Sequence, residues 1–222
     1  MVNRPSQIKR FALYLAVLVS GMTTLAVELS ASRLLGALFG TSNIVWANII
    51  GLILIYLALG YFLGGRWADR SPSATTLYQI VAWAAFLSGL VPTLAHLLLP
   101  VIAGLGLSVG VATAVAVFAL FAVPVTLLGV VPPFAIRLAL ATADRAGAVA
   151  GKVYAVSTLG GIIGALAPVL YLLPEAGTAA TFHFFAAALL VIALAGLALH
   201  NRRLCLRLVW MFPIHVLLWA LL

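Results

Sequence analysis

The chain has 222 residues, of which 65% are hydrophobic and only 7% charged, with a formal net charge of +8. A water-soluble domain of this size cannot hide so much apolar surface, because a globular fold still needs a polar skin, so the solvent for most of the chain is lipid. Lipid admits only helices or closed barrels, since each backbone N–H and C=O must be satisfied internally. The apolar runs reach about 20 residues or more without period-two alternation, so they are helices.

Taken in order, the first helix is predicted over roughly 10–39. It follows a basic N-terminus and is too long for a cleaved signal peptide. A Gly-Thr-Ser-Asn turn at Gly40 to Asn43 leads into a second helix over roughly 43–64. The segment Gly65 to Pro72 reads as a polar turn with a helix-breaking proline. The third helix is placed at roughly 76–99 and the fourth at roughly 108–136, where Pro124, Pro132 and Pro133 predict kinks or an early end. Residues 137–151 form the most polar internal segment. The fifth helix is predicted over roughly 151–173, a tight turn at Pro174 to Gly177 follows, and the sixth is predicted over roughly 178–199. A gap at His200 to Arg203 precedes a seventh, roughly 204–222. The expectation is an all-α polytopic bundle of seven transmembrane helices, with a six-helix unit over 1–200, a seventh helix over 201–222 and no soluble domain.

The cations set the predicted orientation. Arg4, Lys9 and Arg10 precede the first helix. Arg66 and Arg70 follow the second, Arg137, Arg145 and Lys152 the fourth, and Arg202, Arg203 and Arg207 the sixth. Eleven of the 12 Lys and Arg residues thus fall on one side. That places the N-terminus in the cytoplasm and the C-terminus outside a cytoplasmic membrane, and it requires an odd number of helices. The same dispersal argues against nucleic acid, because the positive charge forms no single patch. Cys205 is the only cysteine, so no intrachain disulfide is possible.

Few residues offer chemistry. Glu28 and Arg33 are the ionisable groups inside a predicted span, where a charge is costly. Five residues apart, they lie about 140° apart around a helix and do not pair directly. They outline a polar intramembrane site for a cation at Glu28 or an anion at Arg33, or they pin the first helix to Asn43, Asn48 or His183. Of the four histidines, His96 and His183 fall near outer helix ends and are the candidate ligands for a haem, but no metal-ligating pair occurs on one helix. The last helix has no lysine, which excludes a retinal Schiff base. Small residues recur at spacing four at Gly60 and Gly64, Gly147 and Gly151, and Gly160 and Gly164, a pattern that lets helix backbones approach closely in lipid. Tyr56, Tyr61, Trp67, Trp83, Trp210 and Trp219 suit interfacial anchoring. With two Asp and two Glu in the chain, acid–base catalysis would have to rest on Glu28 or a histidine.

Two stretches resemble a known family. One runs from Glu28-Leu-Ser-Ala-Ser-Arg33 through Phe39-Gly40-Thr-Ser and Trp46 to Gly60-Tyr-Phe-Leu-Gly-Gly-Arg-Trp-Ala-Asp-Arg70. The other runs from Gly151-Lys-Val-Tyr-Ala-Val-Ser-Thr-Leu-Gly160-Gly-Ile-Ile-Gly164 to Leu173-Pro-Glu-Ala-Gly-Thr178. Over roughly residues 12–200 the chain is similar to the membrane domain of spermidine synthase-like proteins, in which a multi-helix region precedes an aminopropyltransferase domain. Gly65, Asp69 and Arg70 also match the first half of the loop motif between helices two and three of the major facilitator superfamily. The second half of that motif is missing. This resemblance implies that helices one to six are built like one six-helix half of such a transporter, as two inverted three-helix repeats. It also implies that Asp69 contacts Arg137 or Arg145, or caps a helix N-terminus.

The chain ends after the seventh helix, where the enzyme domain of such relatives would follow, and it carries neither a Gly-rich nucleotide loop nor a carboxylate cluster for a polycationic amine. The expectation is therefore a non-enzymatic membrane scaffold, without cofactor or metal, that sits in the lipid bilayer and binds another membrane or membrane-associated subunit. The alternative is transport of a small solute such as a polyamine or another organic cation by a homodimer, with Glu28 as the cation contact. A weaker alternative is a haem or pigment subunit.

Overall fold

The computed structural model describes residues 7–140 and 145–221. Among these, every regular element is helical: α1 (Gln7–Phe39), α2 (Asn43–Arg70), α3 (Ala74–Gly104), α4 (Val109–Ala139), α5 (Ala146–Ala167), a π-helical turn (Pro168–Leu172), α6 (Leu173–Glu175), α7 (Gly177–His200), α8 (Arg202–Leu208) and α9 (Met211–Leu221). They make seven stretches long and apolar enough to cross a membrane, α5 to α6 counting as one and α8 to α9 as another. The chain is thus an all-α, multi-pass membrane bundle. Arg4 and the center of the polar segment after α4 lie outside the described residues.

The boundaries depart from the sequence reading where a supposed breaker fails to break. Helix α2 continues through Gly65 to Arg70, so that segment is its last two turns rather than a loop. Ala68 is fully buried there and Trp67 meets Phe134 edge-on, so tertiary packing holds the turns until Pro72 forbids more. Pro92, Pro100, Pro124, Pro132 and Pro133 all lie inside helices, and α4 does not end early. Proline is tolerated inside a membrane helix where neighbouring helices enclose the interrupted turn, and Pro92, Pro124 and Pro132 are buried in the bundle. The seventh span is broken instead: α8 and α9 are separated by a turn at Val209 and Trp210. Pro213 has no N–H for the Val209 carbonyl, and Phe212 N donates to that oxygen instead.

The packing contains an internal repeat. Helix α2 packs chiefly on α4 and α5 chiefly on α1, while α3 packs on α4 and α7 on α1. Glycines seal both seams. A Cβ at Gly60 would fall on the Thr126 carbonyl, and one at Gly160 on the Leu18 carbonyl. Gly64 abuts Val130 and Gly164 abuts Met22, while Gly129 faces the Leu57 carbonyl and Gly21 the Ser157 carbonyl. Adding 100 to each α2 number gives its α5 counterpart, and adding 108 to each α1 number gives its α4 counterpart. Three-helix units cross the membrane an odd number of times, so the second is inverted relative to the first. Small residues do this work because lipid offers no hydrophobic force between helices, and close backbone contact must supply dispersion instead. Gly147 and Gly151, which share the spacing, have open space around them and form no seam.

The core divides into two layers along the bundle. One gathers the start of α1 and α3 with the ends of α4 and α7, around Leu77, Tyr78, Phe134 and Leu197. The other gathers the end of α1 and α3 with the starts of α2 and α4, around Leu35, Ile49, Ile53 and Phe121. The chain's last segment belongs to this bundle: α9 packs on α3 and α7, and Met211 and His215 are buried.

Candidate functional site

A cleft of about 200 Å³ opens where the two repeats meet, between α1, α2, α4 and α5. The glycine seams place it, because they bring α2 and α5 onto α4 and α1 but leave a gap between the two outer helices. Its walls carry hydroxyls: Ser20 and Thr24 from α1, Tyr61 from α2, and Tyr154, Ser157 and Thr158 from α5. Thr24 Oγ1 donates to the Ser20 carbonyl at 2.9 Å, the usual way a membrane helix absorbs a hydroxyl. Tyr61, Tyr154, Ser157 and Thr158 have no side-chain hydrogen bond among the described residues. Tyr61, Tyr154 and Thr158 are exposed, and all three lie within the apolar spans of α2 and α5. Pro132 also lines the cleft, and its missing N–H withholds the donor that would serve the carbonyl of Leu128, another lining residue. The site is neutral, rich in donors and acceptors, and short of partners.

The polar site expected from sequence is not assembled. No hydrogen bond or ion pair joins any two of Glu28, Arg33, Asn43, Asn48 and His183 among the described residues. Glu28 is half-buried and Arg33 is exposed near the end of α1, where a long side chain can reach the headgroups. Asn43 is exposed, and Asn48 Nδ2 donates to the Gly110 carbonyl at 2.8 Å, tying α2 to α4. His183 is buried against His215, with ring centroids 4.8 Å apart, and His215 Nε2 bonds the His183 carbonyl at 3.0 Å. Neither ring nitrogen of His183 has a hydrogen-bond partner among the described residues. His96, the other histidine expected to ligate haem, is exposed, and no group of three or more metal-ligating side chains occurs among the described residues.

The loop-motif residues fare differently. Asp69 pairs with Arg137 Nε at 3.2 Å, joining the ends of α2 and α4. Arg137 belongs to the last turn of α4 rather than to a loop, and both side chains remain solvent-accessible. Gly65 is half-buried near Pro133, and Arg70 is exposed. Of the expected anchors, Tyr56 is buried, while Trp83 and Trp210 cluster with Phe86 beside the α8–α9 break. No protein-family model, curated protein or solved structure matches this chain.

Proposed function

We infer that the protein is a non-catalytic membrane subunit that seats a second membrane-embedded body against its α2 and α5 faces. One observation carries this reading: Tyr61, Tyr154 and Thr158, exposed residues within two of the apolar spans, bring hydroxyls without hydrogen bonds among the described residues to the cleft between α2 and α5. Hydrocarbon cannot satisfy them, and each unsatisfied polar group in lipid is expensive. A protein surface bearing complementary groups removes that cost. The inverted repeat and the Asp69–Arg137 pair fit the resemblance to half of a major facilitator fold, whose natural complement is another such half. On this reading the N-terminus and the basic helix ends face the cytoplasm.

A photo-reactive residue placed at 61 or 154 tests the proposal in native membranes. We expect a protein–protein adduct at both positions and none at Phe118, an exposed apolar residue on α4. The adduct's mass distinguishes a second copy from a different subunit. Lipid adducts alone at 61 and 154 would refute the reading.

A second reading, passage of a small solute through a dimer, draws on the same cleft. Its position at the repeat interface is where transporter sites form. The lining is neutral, so hydroxyls and the Leu128 carbonyl, not Glu28, would contact the solute. Uptake into proteoliposomes that survives the Tyr61→Phe and Ser157→Ala changes together would count against it.

A further inference from the structure

At the end of the bundle where the basic residues gather, the starts of α1, α3 and α5 and the ends of α4 and α7 enclose an open pocket of about 660 Å³. Lys9 and Arg10 enter it from α1, Arg145 and Lys152 from the start of α5, and His200 from the end of α7. No acidic side chain lines it among the described residues. Asp144 lies outside them. Arg10, Arg145 and Lys152, drawn to one pocket, repel one another, and this arrangement is favourable when an anion sits between them.

Tyr78 is the second observation. It lines the pocket, is only 1% exposed, and its hydroxyl has no hydrogen-bond partner among the described residues. Its ring packs against α7. Gly196 leaves room for it, since a Cβ there would fall on the phenol ring, and the His200 ring meets it at a tilt, centroids 5.5 Å apart, with its own Nδ1 held by the Gly196 carbonyl at 2.9 Å. Lys152 Nζ lies 4.6 Å from the Tyr14 ring, which positions its ammonium at the pocket's edge. A buried phenol left without an acceptor, in a pocket also lined by Arg10, Arg145 and Lys152, is a donor set that lacks an anionic acceptor.

We propose that this pocket binds a phosphate group, with the Tyr78 hydroxyl as its neutral donor and Arg10, Arg145 and Lys152 as its charged ones. Guanidinium and ammonium groups are the usual phosphate partners, and basic pockets between membrane helices are built to take phospholipid headgroups. The volume exceeds what one phosphate needs, and apolar side chains such as Phe11 and Leu13 complete the wall. A headgroup with the first part of its acyl chains fills that shape. Free phosphate would satisfy the same donors, so the two sources need separate arms in the test.

The experiment purifies the full chain from mixed membranes of phosphatidylcholine and phosphatidylglycerol and weighs the retained lipid by native mass spectrometry. Inorganic phosphate is titrated separately onto delipidated protein. We expect preferential retention of phosphatidylglycerol, weakened about tenfold by Tyr78→Phe through loss of a hydrogen bond to a charged group and about fivefold by Lys152→Gln through loss of one charge. Arg66→Gln, which removes a cation stacked on Phe62 away from the pocket, should leave retention unchanged. Lys152 is exposed, so its variant keeps the test valid if Tyr78→Phe proves unstable. Binding of inorganic phosphate with the same dependence on Tyr78 and Lys152, without lipid retention, would assign the pocket to a soluble phosphate. Absence of both, or an equal loss with Arg66→Gln, would overturn the proposal.

Discussion

The two repeats share their seams but not their ends. In the first, α2 runs unbroken past its glycines to Arg70, and Asp69 reaches Arg137 at the end of α4. In the second, the positions equivalent to these by the same offsets are Val169 and Leu29, which form no ion pair. There α5 gives way to a π-helical turn beginning at Pro168, one residue before Val169. The seam is thus the part both repeats require, and the latch is an addition at one end. The comparison separates what makes the bundle from what decorates it: backbone-to-backbone contact is shared, whereas charge is local.

The strongest way to break this equivalence is to fill a seam. Gly60→Leu and Gly160→Leu each force a side chain into a neighbouring carbonyl, and both should lose more than about 3 kcal/mol or fail to assemble. Thermal unfolding in detergent, followed by tryptophan fluorescence, reads this directly, and a large loss at one glycine with none at its counterpart would disprove the repeat. Gly147→Ala and Gly151→Ala have the same spacing but no neighbour, so each should raise stability by about 0.5–1 kcal/mol through reduced backbone entropy. Destabilisation there would show an unseen contact. The smallest effect belongs to Asp69→Asn, because both partners are accessible to solvent and such pairs contribute about 0.5 kcal/mol. A melting-temperature drop as large as that from a filled seam would mean that the latch, not the glycines, holds α2 on α4.

Seven spans were legible because apolar length is a bulk property that survives small errors at each boundary. Gly60, Gly64, Gly160 and Gly164 were legible for a similar reason, while Gly147 and Gly151 show that spacing does not reveal which face meets a neighbour. Prolines misled in both directions. Pro132 and Pro133 lie inside α4 without ending it, and Pro213 breaks the last span. The difference lies in tertiary support, which one sequence does not display. Rarity drew attention to Glu28 and Arg33, yet Glu28 is only half-buried, Arg33 is exposed, and neither meets the expected asparagines. Tyr61 stood out only as an interfacial anchor, and the cleft serines and threonines not at all, because serine and threonine in membrane helices usually bond their own preceding turn. Thr23, Thr24, Thr113, Thr126 and Thr181 do so here, and Ser157 and Thr158 do not. The pairing of His183 with His215 was equally hidden, since 32 residues and a broken span separate them.

The glycine seams also lie off-centre. Gly60 is ten residues from the Arg70 end of α2 and seventeen from the Asn43 end, and Gly129 divides α4 similarly, ten residues from Ala139 and twenty from Val109. At about 1.5 Å per residue, the arms of α2 are roughly 15 and 25 Å long. A seam that tight acts as a fulcrum, so a given tilt of α2 swings its far tip about 1.7 times as far as its basic tip. Movement between α2 and α4 is therefore amplified on the side away from the cations, while the cationic side moves only about 0.6 times as far.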